Sequence, residues 1–129
     1  MRVHEYKESL DDKWFNLIAE GKKTIECRKK STKRFAQIAV GDFFDFYPIS
    51  NPKMHCYCKI VEINCYKGSG ALEKLLENEK LKLVLPGIKT VKEGVEIYKA
   101  NPINWTDKEI EEGVLALHLE KIGVELEDK

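Results

Sequence analysis

Apolar residues recur along the chain with two periods, and the switches between them divide it into elements. Residues 2–7 read as a short first strand. Leu10, Trp14, Leu17 and Ile18 then fall at i, i+4, i+7 and i+8, the spacing of one helical face. Ser9 and Asp12 stand at capping-box spacing before them, and Gly21 is placed to end the helix in a left-handed conformation. From 22 to 28 the period drops to two. Ile25 and Cys27 share one strand face, and Thr24, Glu26 and Arg28 share the other. Gly41-Asp42 turns into an aromatic strand from Phe43 to Tyr47 that Pro48 ends. A long strand follows over about 55–66, bent near Lys59 where the alternation changes phase.

The second half is mostly helical. Gly68-Ser69-Gly70 opens a short helix with Leu72, Leu75 and Leu76 on one side, and Leu85-Pro86-Gly87 breaks the chain. Thr90 with Glu93 caps a helix striped by Val91, Val95 and Tyr98, and Thr106 with Glu109 caps a brief one ended by Gly113. The last strand, 114–120, sets Leu115, Leu117 and Leu119 against Ala116 and His118. Strands cluster early without regular helical crossovers, which disfavours a parallel α/β sheet. The pattern predicts an α+β fold: a small, mixed or closed, mostly antiparallel sheet with three or four short helices.

Composition narrows this further. A length of 129 residues fits one domain, with 43% hydrophobic and 34% charged residues excluding disorder. No apolar run reaches the roughly 18–20 residues that span a bilayer, and the charged start Met1 to Tyr6 excludes a secretory signal, so no membrane partner is expected. A cytoplasmic setting is expected, in which Cys27, Cys56, Cys58 and Cys65 stay reduced as structural thiols. They form no C-x-x-C pair, and no metal or cofactor is called for.

Twenty-two basic and twenty-two acidic side chains cancel, which excludes a wholly basic nucleic-acid coat. The distribution is uneven, however. Lys22, Lys23, Arg28, Lys29, Lys30, Lys33 and Arg34 face only Glu26 within 22–34, a net of +6, whereas 107–129 carries −5. The single domain, 1–129, therefore has a basic side and an acidic C-terminal end at 122–129.

Candidate chemistry is concentrated in one place. Phosphate loops, nucleophile elbows and zinc-protease motifs are missing from the sequence, and His4, His55 and His118 stand singly, as ordinary strand or surface histidines. Trp14 and Phe15 could be read as a base-stacking pair, but Trp14 belongs to the apolar helical face, and core packing is the better reading. What stands out is Gly21-Lys22-Lys23-Thr24-Ile25-Glu26-Cys27-Arg28. Glu26 and Arg28 could simply pair across solvent, which is worth little. Alternatively they line a polar groove. Lys23 and the forked guanidinium of Arg28 would then meet phosphate or carbonyl oxygens, and Glu26 would accept from a base or amine. Lys22, Lys29, Lys30, Lys33 and Arg34 would extend the positive field along a polyanion.

The segment resembles the signature of the ASCH domain family, G-x-K-x-x-E-x-R, at Gly21, Lys23, Glu26 and Arg28. Trp14-Phe15 with Ile18, Val40-Gly41-Asp42, Leu85-Pro86-Gly87, Glu93-Gly94 and Ile97-Tyr98 extend the resemblance over about 3–121. The resemblance implies a β-barrel like that of PUA domains, with the signature lining a groove for RNA or a nucleoside. One bacterial branch hydrolyses the acetyl amide of 4-acetylcytidine, with a lysine at the position of Lys23 and a threonine nucleophile at the position held here by Glu26. Thr24 lies two residues out of that register. The resemblance therefore carries the fold and the groove over better than the hydrolysis.

The leading expectation is an RNA- or modified-nucleoside-binding domain that uses Lys23, Thr24, Glu26 and Arg28. The alternatives are a nucleoside or RNA hydrolase, with Lys23 and Glu26 as its acid and base or Thr24 as its nucleophile, and a protein-interaction module built on the acidic end. The sequence leaves the oligomeric state open.

Overall fold

The spine of the molecule is a pair of long strands, one of which is buried on both faces over its first four residues, Val114 to Leu117. A computed structural model describes residues 2–128. Strands β1 (Glu5–Leu10), β2 (Ile25–Lys29), β3 (Phe43–Pro48), β4 (Met54–Tyr66) and β5 (Val114–Leu126) form one sheet in the order β1-β3-β4-β5-β2. β4 and β5 pair antiparallel from Met54 opposite Leu126 to Tyr66 opposite Val114. β1 runs parallel to β3, and the remaining pairs are antiparallel. Register shifts at Tyr57/Cys58 and Ile60/Glu62 flank Lys59, where the sequence predicts a bend.

Each face of the sheet builds a core. Leu115 and Leu117 point into one with Phe44, Phe46, Cys56, Cys58 and Ile60, closed by Phe15 and Ile18 of helix α1 (Asp12–Ala19). Val114 and Ala116 point into the other with Ile25 and Cys27. That second core is covered by α2 (Ala71–Asn78), α3 (Leu81–Val84), α4 (Val91–Lys99) and α5 (Asp107–Glu112). The predicted caps are present: Thr90 Oγ1 accepts from Glu93 N–H, and Thr106 with Glu109 forms a full capping box.

The edge strands β1 and β2 carry no ladder between them, so the sheet curls toward a barrel without closing. Side chains cross the gap instead. Arg28 of β2 lies 3.5 Å from Glu8 of β1.

Several expectations need correction. The first strand is Glu5–Leu10, not 2–7, because Ser9 and Leu10 stay in parallel register with Tyr47 and Pro48. Ser9 therefore caps nothing, and α1 starts after Asp11, whose side chain makes no capping bond. Trp14 is only half-buried and packs against the rim of the second core, while Phe15 and Ile18 are the residues of α1 buried in the first. Among the described residues there are five α-helices, α3 being the one without a sequence signal, together with a 3-10 turn at Lys33–Phe35. The acidic end is extended chain through Leu126, because β4 is long enough to pair with it.

Candidate functional site

Gly21 delivers the site's lysine. Its φ of 78° lets Gly21 N–H bond Ile18 O, while Lys22 and Lys23 N–H both bond Leu17 O. This is the left-handed helix stop predicted for that glycine. The reversed chain drops the Lys23 side chain between α3 and β2, where it is 3% exposed. Nζ donates to Ile25 O at 2.8 Å and Val84 O at 2.5 Å, and lies 3.4 Å from Glu26 Oε1. An ammonium has three protons, and here three oxygens surround it.

Glu26, 4% exposed, is the centre of the charge chain. Oε1 accepts from Cys27 N–H at 3.0 Å, and Oε2 lies 3.2 Å from Arg28 Nη1. Burial pushes its carboxyl up, but Arg28, Lys23 and the Cys27 N–H together hold it below the ordinary carboxylate range. Arg28 also donates from Nη1 to Cys27 O at 3.0 Å. Burial disfavours its charge, and Glu26 and Glu8 outweigh that and raise its pKa.

These three residues form the floor of a pocket of about 850 Å³ in the seam between the edge strands. Trp14, Leu85, Ile88, Ile97 and Tyr98 wall it, and Asp11, Glu93 and Glu96 add carboxylates. The face of Trp14 sits 5.8 Å from Lys23 Nζ. Helical spacing fits a core face as well as a cavity wall, so the sequence favours the core for Trp14; of the Trp14-Phe15 pair, only Trp14 reaches the pocket. Thr24 is not among the lining residues. It precedes β2, its N–H bonded to Leu83 O and its carbonyl accepting from Leu119 N–H.

The ASCH domain model matches residues 9–123, nearly the whole chain and all of this pocket. The chain belongs to the ASCH domain family. No curated protein matches its sequence. Among solved structures, the hypothetical protein PH0355 is 33% identical over 92% of this chain and 99% of its own, with a TM-score of 0.72. The protein PF0455 from Pyrococcus furiosus is 29% identical over 92% of this chain and 97% of its own, at 0.69. The ASCH structure from Zymomonas mobilis, 16% identical over 93% of this chain and 69% of its own at 0.61, shares the fold.

The basic stretch of this ASCH domain is only partly free. Lys22 pairs with Glu20 at 3.3 Å. Lys29 meets Glu109 at 2.5 Å, a contact that, with the Thr106 N–H, holds Glu109 down at about 2. Arg34 binds Glu8 at 2.5 Å and donates to Lys7 O. Lys30 and Lys33 make no ion pair among the described residues. Lys67 stands beside Lys30 and lowers its pKa, the mark of positive charge left uncompensated.

The histidines are less ordinary than their isolation in sequence implies. His55 is bound between Asp45 at 2.8 Å and Glu127 at 2.5 Å, and His118 lies 2.7 Å from the buried Glu79. Both networks lie outside the pocket lining.

Proposed function

We propose that the seam pocket binds a single base of RNA, or a modified nucleoside, and that Lys30, Lys33 and Lys67 meet the neighbouring phosphates. The carrying observation is the Lys23–Glu26–Arg28 chain on the floor of a cavity roomy enough for a nucleoside, with an indole in its wall. A planar base buries well against Trp14, and Glu26, held ionised, accepts from an amino or imino group. Membership of a family whose fold is PUA-like supports this reading.

Binding is better supported than hydrolysis. Lys23 has its protons engaged, Thr24 does not line the pocket, and the residue aligned with the branch's nucleophile is a carboxylate. The cytoplasm, where such RNA or nucleosides are met, is the compartment this reading expects. The test is an NMR titration with nucleosides and short single-stranded RNAs, followed by incubation with 4-acetylcytidine. Shifts should centre on Trp14, Lys23, Glu26 and Arg28, with no cytidine released. Shifts confined to other surfaces would overturn the pocket, and efficient release would overturn the binding reading.

A further inference from the structure

We infer that Glu8 is a specificity-determining residue which makes the seam pocket prefer an uncharged nucleoside over its phosphorylated form. This rests on the nucleoside reading above. Two arginines from different segments converge on this one side chain. Arg28 Nη2 lies 3.5 Å from Oε1, and Arg34 Nη2 lies 2.5 Å from Oε2. Glu8 is 13% exposed, and its Oε2 is shielded from water, meeting Arg34 as an ion pair without a well-directed hydrogen bond. One carboxylate thus occupies a two-guanidinium clamp of the kind that otherwise receives a phosphate.

The surrounding charges point the same way. The pocket is lined by two cations, Lys23 and Arg28, and four carboxylates, Asp11, Glu26, Glu93 and Glu96. Lys23 is already surrounded by three oxygens, and Arg28 is shared between Glu26 and Glu8. A phosphate entering here meets a negative lining and, in Arg28, a lining arginine already paired with two carboxylates. A neutral base meets neither obstacle. Phosphates of a longer RNA would then lie outside, toward Lys30 and Lys33, while the pocket receives the base alone. Neither Glu8 nor Arg34 is among the lining residues, so Glu8 acts as a positioning residue: it holds Arg28, which does line the pocket, and Arg34 behind it.

The experiment is calorimetric titration of the intact chain with the four common nucleosides, their 5′-monophosphates and inorganic phosphate. A nucleoside that binds the wild type should bind at least tenfold tighter than its monophosphate. Glu8→Gln keeps the size of the side chain, frees Arg34 of its carboxylate partner and leaves Arg28 with Glu26 alone; it should narrow or reverse that preference and acquire phosphate binding that the wild type lacks. Adding Arg34→Ala to Glu8→Gln should remove the acquired binding. If Glu8→Gln fails to fold, Arg34→Gln serves at this 54%-exposed arginine and should widen the preference, because Glu8 is then less compensated. Equal binding of nucleoside and monophosphate by the wild type would overturn the inference, as would a folded Glu8→Gln that gains no phosphate binding. If no nucleoside binds but the phosphate results hold, the base pocket and the nucleoside preference fail, and only the exclusion of phosphate by Glu8 stands.

Discussion

Lys23 and Glu26 share a nearly dry compartment, with Lys23 Nζ 3.4 Å from Glu26 Oε1 and its other contacts spent on Ile25 O and Val84 O. The lysine therefore ties two elements together: β2, through Ile25 O and the Glu26 carboxylate, and the end of α3, through Val84 O. A charge so placed acts on stability as much as on binding.

Removing it should be costly. Lys23→Met leaves Glu26 buried beside Arg28 alone and strands the Val84 carbonyl, and breaking a buried pair costs about 3–5 kcal/mol. The double variant Lys23→Met/Glu26→Gln should lose less than the two single losses combined, because neither charge is then left uncompensated. Urea unfolding of the four proteins measures both quantities. Additive losses would mean that the two side chains act independently.

Trp14 should report and support ligand binding. It is half-exposed on the pocket wall, whereas Trp105 is buried and stacked on Tyr98 at 4.6 Å. Ligand binding should change the indole emission in the wild type and leave it unchanged in Trp14→Phe. Trp14→Ala should weaken binding by roughly 1–3 kcal/mol, the range for one base stacked on an aromatic ring. An emission change that survives Trp14→Phe would place the ligand elsewhere.

The lysines of the basic stretch should not be equivalent. For single-stranded RNA, each phosphate contact contributes about 0.7 to the log–log dependence of affinity on salt. Lys30→Ala and Lys33→Ala should each flatten that slope. Lys29→Ala should change it less, because Glu109 already engages Lys29. Filter binding across a salt series gives the slopes, and a larger effect from Lys29 would show that its ion pair opens in the complex.

His55 should make stability depend on pH. Hydrogen bonds to Asp45 first, and then to Glu127, raise its pKa above the ordinary histidine value. A group raised on folding contributes its full stabilisation below its unfolded pKa, about 6.5, and loses it as pH rises through the folded value. The melting temperature should therefore fall as pH climbs from about 6.5. The decline should be shallower in His55→Gln. Identical profiles in thermal melts would assign the pH dependence to other groups.

Features set by near neighbours are legible in the amino-acid order alone. Gly21 as a left-handed stop, the caps at Thr90 and Thr106, and the opposed faces of Ile25 with Cys27 and Glu26 with Arg28 all depend on residues within a turn or a short strand. Lys23, Glu26 and Arg28 are likewise near neighbours in the chain, and the fold brings them to the floor of one pocket. Tertiary structure alone decided that Trp14 lines a pocket, because one helical period serves a core face and a cavity wall equally well. It also decided which cations are spent. Lys23 finds Val84 O, Arg34 finds Glu8, and Lys29 finds Glu109, each across a long stretch of chain. Charge written along a sequence is only a sum, and whether a given charge is compensated depends on what the folded chain places within a few ångströms of it.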